Sequence, residues 1–268
     1  MTEIACLDSR ALVRVTGPDA RPFLHNILTQ DVEGLGEGEL RFGALLSPPG
    51  RLLFDLFLWG GGEGVTLDVA AERRDALIQR LSMYRLRAKV EVATDEPPVF
   101  AAWGAAPPGF VADPRLAGLG WRGLGEARPT TDEAAWRARE LAHGVPGTAD
   151  SPPDKDYPIE TNFDLLNGID FAKGCFVGQE TTSRMKRRGA IKNRMLPISF
   201  DGPPPSFGAE VLLDGERRAG EVRGGIEGRA MAVMRLDRLE GALTVEGRTV
   251  TVERPAWSDA PQITSPSP

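Results

Sequence analysis

Phe171-Ala172-Lys173-Gly174-Cys175-Phe176-Val177-Gly178-Gln179-Glu180 is the stretch around which the chain is organised. One of only two cysteines stands two residues after a lysine, and glycines flank Cys175-Phe176-Val177. Glycine lets the backbone turn sharply and approach a ligand closely. Gln179-Glu180-Thr181-Thr182-Ser183-Arg184 can start a helix. A thiol at a helix entry beside an ammonium ionises more readily than a free cysteine, because both neighbours favour the thiolate. The competing reading is a small buried residue in a tight turn, since free cysteine is among the most buried residue types. From the cysteine alone both readings stay open.

Outward from this stretch, the 268 residues suffice for one large or two to three small packed units. No apolar run approaches the roughly 20 residues of a membrane helix. Met1-Thr2-Glu3-Ile4-Ala5-Cys6 lacks a basic region followed by an apolar core, so no secretory signal is expected. Cys6, Cys175, His25 and His143 lack zinc-ligand spacing and do not imply a disulfide scaffold, which makes reduced cytoplasm the expected setting. A net charge of −6 disfavours nucleic acid globally and leaves any such contact to a local basic patch.

Ile4–Leu7 and Ala11–Val15 read as strands, with Cys6 in the core. Pro18 suits a first helical turn, and Phe23, Leu24, Ile27 and Leu28 recur at helical spacing, with His25 not a ligand. After a turn at Ser47-Pro48-Pro49-Gly50, Arg51–Trp59 reads as a strand buried on both faces. Strict alternation puts Asp55 on one face with Leu53, Phe57 and Trp59, where an ionised carboxylate needs a partner; Arg51 shares that face. Val65–Val69, a helix over 71–84 and an alternating strand Ala88–Val92 complete most of a ferredoxin-like split unit. Residues 97–130, apart from a strand Val99–Trp103, carry little pattern. Asp132–His143 reads as a helix stopped by Gly144, with no chemistry at His143. Six of the eleven residues Arg184–Arg194 are basic. They form a solvated face, a seat for a carboxylate tail, or an RNA contact; no aromatic residue interleaves them, which weakens a stacking surface. From Leu196 short strands and Asp214-Gly215 and Glu246-Gly247 turns read as a small antiparallel barrel, and Pro261–Pro268 as mobile.

Lys173-Gly174-Cys175-Phe176-x-Gly178-Gln179-Glu180, followed by Arg184 and Arg188-Gly189, resembles the hallmark of YgfZ-type folate-binding proteins. These are relatives of the aminomethyltransferase (T-protein) of the glycine cleavage system. The resemblance covers about residues 5 to 255. It implies an α+β fold, a three-lobed ring of the aminomethyltransferase type around a central folate hole. Its first lobe is discontinuous (about 1–45 plus 128–195), its ferredoxin-like lobe spans about 46–127, a small β-barrel follows over 196–256, and 257–268 is a mobile tail.

Gly50–Leu56 resembles the Gly-x-x-x-x-Asp-Leu segment whose aspartate acts near folate N10, and Tyr84–Val90 the Tyr-x-x-Arg-x-Lys-Val run, whose bases could face a folate carboxylate or form a solvated basic edge. Pro158-Ile159-Glu160 resembles the segment whose glutamate holds the pterin; a carboxylate can accept adjacent ring N–H and amino donors side by side. Its alternative is a charge at a helix start. The resemblance thus implies a tetrahydrofolate-binding protein supporting iron–sulfur cluster assembly or repair. Cys175 would be the reactive thiol, by redox chemistry or cluster ligation, with Lys173 favouring its thiolate. Asp55, Glu160, Arg184 and Gln179 would contact folate. One thiol cannot hold a cluster alone, so other ligands would come from another chain or a small thiol. The expected partners are iron–sulfur client or assembly proteins and tRNA through 184–194, for a cytoplasmic monomer without membrane contact. The alternatives are aminomethyl transfer from a lipoyl carrier, for which Asp55 speaks, and an RNA-binding or interaction scaffold.

Overall fold

The two strands read at the N-terminus part into different sheets. The structure, a computed structural model, describes residues 1–189 and 191–259. In chain order the elements are β1 (Glu3–Cys6), β2 (Arg10–Thr16), α1 (Ala20–Ile27), β3 (Leu40–Leu46), β4 (Leu52–Gly61), β5 (Gly64–Ala70), α2 (Arg74–Arg85), β6 (Glu91–Asp95), β7 (Val99–Trp103), β8 (Val111–Ala112) and β9 (Trp121–Leu124). Then come α3 (Glu133–Ala142), α4 (Gln179–Arg188), β10 (Asn193–Ser199), β11 (Glu210–Leu213), β12 (Arg217–Ile226), β13 (Arg229–Arg235), β14 (Leu243–Val245), β15 (Arg248–Thr249) and β16 (Thr251–Val252).

The first sheet is antiparallel, in the order β3-β4-β5-β2-β6. One face packs against α1 and α2, where Leu24, Ile27, Leu77 and Leu81 meet Val13, Val15, Leu58 and Leu67. The other face is covered by the chain that carries the motif: Ile159, Phe163, Ile169 and Phe176 pack on Phe42, Leu46, Leu52 and Phe57. A sheet covered on both faces explains the nearly continuous apolar run of β4.

A second sheet, β1-β7-β9-β8, packs on α3 through Trp136. The strands of 46–127 are therefore shared: β4 to β6 join the first sheet beside β2 and β3, while β7 to β9 pair with β1. β6 starts at Glu91 rather than Ala88. The Lys89 N–H donates to the Asp19 carboxylate and its carbonyl accepts from the Asp19 N–H, so neither group is left for a strand partner.

The third sheet runs β15-β14-β11-β12-β13-β10-β16. The single run Arg248–Val252 pairs with β14 at one edge and β10 at the other, so the two edges meet and the barrel closes. The expected Asp-Gly and Glu-Gly turns are present: Asp214 and Gly215 have φ of 54° and 77°, and Glu246 and Gly247 have 49° and 78°. Residue 257 does not begin a free tail. Trp257 packs on the Trp136 cluster and donates Nε1–H to the His143 carbonyl at 2.8 Å. The expectation for Pro261–Pro268 lies outside the described residues.

Candidate functional site

A cavity of about 710 Å³ opens where the three sheets meet, lined by Arg10 and Phe57, by Arg115 and Arg122, by Trp136, Arg137 and Glu140, and by Gly224 of the barrel. An unbroken chain of alternating charge runs through it. Asp55 pairs with Arg10 (3.0 Å), Arg10 with Asp68 (2.5 Å) and Asp68 with Arg122 (3.0 Å). Arg122 pairs with Asp113 (3.0 Å), Asp113 with Arg115 (2.9 Å) and Arg115 with Glu140 (2.9 Å). Glu140 then meets Arg137 (3.5 Å), and Arg137 meets Asp150 (2.7 Å). Five carboxylates thus share four guanidiniums.

Phe57 supplies an apolar floor, with Arg122 over its ring at 3.5 Å, Arg115 at 5.0 Å and Arg10 at 5.4 Å. Burial pushes the Asp113 carboxyl up, but Arg115 and Arg122 outweigh it and hold it down to about 2. At the far end burial dominates: it pushes Asp150 up to about 6, against Arg137 and the Gly147 N–H. For Asp55, burial is again overcome, here by Arg10 and Thr148, and its pKa is lowered.

Asp55 does not pair with Arg51. Leu45 faces Phe54 while Leu46 faces Leu52, so Leu53 is an extra residue in β4. A bulge of one residue reverses the alternation, and Arg51 and Asp55 end on opposite sides. Leu53 accordingly packs on the helix side and Phe57 on the other. Arg51 instead stacks on Tyr157 at 4.8 Å and donates to the Lys155 carbonyl. Asp55 accepts from Thr148 Oγ1 at 2.7 Å and borders a second cavity of about 330 Å³, of which Thr148 and Ala149 also line the larger one.

Glu160 lies elsewhere. Its carboxylate accepts from the Tyr157 N–H at 3.2 Å and from Asn193 Nδ2 at 2.8 Å, and it lines neither cavity. Arg194 turns inward, forms a two-point pair with Asp164 (2.5 and 2.9 Å) and is buried. Lys186 lies 3.6 Å over the Phe171 ring. The run 184–194 is thus not one cationic surface, although Arg184 and Arg187 are exposed.

Cys175 is exposed, not buried in the turn. Its loop is fastened from both sides. Lys173 Nζ donates to the carbonyls of His25 (2.5 Å) and Cys175 (3.4 Å), and His25 Nε2 lies 3.0 Å from the Lys173 carbonyl. Burial lowers the Lys173 pKa. Gln179 Nε2 donates to the Gly174 carbonyl at 3.1 Å, closing the loop on itself. Phe176 is its apolar anchor, and burying such a side chain stabilises by about 1.5–3 kcal/mol. Lys173, Cys175, Gln179 and Arg184 line neither cavity. Cys6 is half-buried, with Sγ 3.4 Å from Asp8 Oδ1, and not a core residue.

Gly178 joins this loop to the turn before β4. Its φ is +79°, and a Cβ there would lie 2.7 Å from Gly50 Cα and 2.8 Å from the Ser47 carbonyl oxygen, both backbone atoms. Gly178→Ala is expected to destabilise by about 1–3 kcal/mol, read as a lowered midpoint in urea unfolding. An unchanged midpoint would show that the two segments are not locked together.

Pattern reading missed Arg10, Asp68, Asp113, Arg115, Arg122 and Glu140. One signal was available: Asp68 falls on the second face of a strand in a sheet buried on both sides, where a charge requires a partner. Residues 113–122 carry no periodicity that would reveal the rest.

The fold is of the aminomethyltransferase type. The chain superposes on the glycine cleavage system aminomethyltransferase T from Bartonella henselae with a TM-score of 0.74 at 19% identity, over 96% of this chain and 86% of that one. Residues 192–260 match the family described as "CAF17, C-terminal beta-barrel domain". The mouse protein named "Iron-sulfur cluster assembly factor IBA57, mitochondrial" is 31% identical over 306 residues, 94% of this chain and 84% of that one. The human protein of the same name is 31% identical over 301 residues, with the same coverage. The chain belongs to the IBA57 family of iron–sulfur cluster assembly factors. These relatives also correct the cytoplasmic expectation, since both are named mitochondrial proteins. Among the described residues no helix is long and apolar enough to cross a membrane.

Proposed function

We propose that this chain is an iron–sulfur cluster assembly factor that presents Cys175 to a partner and holds a reduced folate in its central cavity. The observation that carries the reading is the exposed thiol on a loop pinned by Lys173, His25, Gln179 and Phe176, within a motif like that of YgfZ-type proteins. The anchoring presents the sulfur in one place without enclosing it. Among the described residues no group of three or more His, Cys, Asp or Glu is placed to hold a metal ion. In this reading a cluster is therefore cargo, with Cys175 as one ligand and a partner chain or small thiol supplying the others. Gln179 is assigned to the loop, and the exposed Arg184 to the face presented to that partner.

The cavity suits a reduced folate on three grounds. Its volume lies within the range of small-ligand sites. Phe57 and Trp136 offer apolar surface, and Arg122 offers a donor. Arg122, which lines this cavity, and Asp55, whose hydrogen-bond partner Thr148 lines it, are the residues assigned to the folate; Glu160, engaged by Asn193, is not needed for this reading. Tetrahydrofolate, when bound, supplies a reduced pterin ring and a carrier for one-carbon groups.

A deletion strain complemented with wild type or Cys175→Ser tests the proposal, with aconitase-type and radical-enzyme activities as readout. The variant is expected to fold with an unchanged melting temperature and to fail to restore either activity. Full restoration by Cys175→Ser would refute the role of the thiol.

A further inference from the structure

Arg122 on β9 is 2% exposed, and its guanidinium makes two hydrogen bonds: Nε to Asp113 Oδ2 and Nη1 to Asp68 Oδ2, both at 3.0 Å. Guanidinium carries five N–H donors in a fixed fork. Nη2, the third nitrogen, has no hydrogen-bond partner among the described residues. Nor is it sealed in: the fully enclosed, unpartnered side-chain polar atoms among those residues are Trp59 Nε1 and Arg229 Nε. Arg122 lines the central cavity.

The other three arginines there differ. Both terminal nitrogens are engaged in Arg10 (to Asp55, Thr148 and the Asp68 carbonyl), in Arg115 (to Glu140, the Pro146 carbonyl and Asp113) and in Arg137 (to Glu140, Asp150 and the Gly224 carbonyl). Burial, with Arg115 and Arg10 nearby, lowers the Arg122 pKa against the pull of Asp113 and Asp68. The Phe57 ring lies against it at 3.5 Å. An incoming group meets the open edge of the fork, the direction along which carbonyl and carboxylate oxygens accept.

We infer that Arg122 is the ligand contact of the central cavity, donating Nη2–H to an oxygen acceptor of a reduced folate, either the ring carbonyl or a tail carboxylate. The inference rests on the folate reading above and adds to it the residue that meets the ligand.

Calorimetric titration tests it with two probes: 5-formyltetrahydrofolate, and 6-methyltetrahydropterin, which lacks the tail. Wild type is compared with Arg122→Lys, which keeps the charge between Asp68 and Asp113, and with Arg122→Gln. Wild type is expected to bind 5-formyltetrahydrofolate, and both variants to bind it roughly 10- to 100-fold more weakly. A loss seen with both probes assigns the ring carbonyl, and a loss confined to the full folate assigns the tail; either supports the inference. Equal affinity in all three proteins overturns the assignment to Arg122 and leaves the folate reading standing. Failure of wild type to bind either probe overturns both. Hydrogen exchange of the wild type covers the case in which the variants do not fold. Protection of 113–124 on adding 5-formyltetrahydrofolate is expected, and protection confined to 157–164 or 171–180 would overturn the inference.

Discussion

Asp68→Asn is expected to lower the melting temperature by on the order of 10 °C, although the amide has the shape of the carboxylate. Asp68 is wholly buried and is the second acid of the charge chain, holding Arg10 on one oxygen and Arg122 on the other, while its own carbonyl accepts from Arg10 Nη2. The substitution creates no cavity. It leaves two buried guanidiniums with one carboxylate fewer, and removing one member of a buried ion pair typically costs about 3–5 kcal/mol. At roughly 2–4 °C per kcal/mol for a chain of this size, the shift follows. Asp237→Asn is the control: its pair with Arg235 lies at the surface, where water screens it, and no measurable change is expected. Thermal melts of the two variants beside wild type decide the matter. Equal melting temperatures for Asp68→Asn and wild type would mean that the network does not hold the sheets together.

The second large effect is on pH dependence. Burial raises Asp150 from 3.8 to about 6, so the folded protein binds this proton more tightly than the unfolded chain. Below about pH 3.8 the group is protonated in both states and its contribution to stability is fully present. Between pH 3.8 and 6 that contribution is lost as pH rises, and by pH 7 the loss amounts to about 3 kcal/mol. Asp113 has the opposite sign: its pKa of about 2 gives stability that is present above 3.8 and lost as pH falls through 2. Comparing Asp150→Asn with wild type isolates the first effect, since every other carboxylate is common to both. The stability difference between variant and wild type is expected to move in the variant's favour by about 2 kcal/mol from pH 4 to pH 7, measured by urea unfolding. Parallel curves for the two proteins would refute the assignment.

The two predictions concern residues that are far apart in sequence, and this bears on what could be read beforehand. α1 and α3 follow from apolar spacing and a stop at Gly144, because a helix face is decided by residues three and four apart. The barrel follows from short alternating runs and two X-Gly turns, because hairpin chemistry is local. The turn around Cys175 was legible from its glycines, but its exposure was not, since the residues alone also allowed a buried thiol. Asp55 was legible as a buried charge in need of a partner, but its partner was not. One extra residue at Leu53 reverses the side on which Arg51 lies, and a bulge leaves no mark in the apolar pattern.

Local spacing and turn residues by themselves determined the helices, the barrel strands and the motif loop, and the resemblance of the motif pointed to aminomethyltransferase-like proteins. Tertiary structure alone decided which charges meet. Arg10, Asp68, Asp113, Arg115, Arg122, Glu140 and Asp150 come from two sheets, a helix and two connecting segments, and they converge only when the sheets pack. The same packing separates Glu160 and Cys175 from the cavity. Charge pairing in a protein interior depends on distance and burial in three dimensions, and neither is a property of neighbours along the chain.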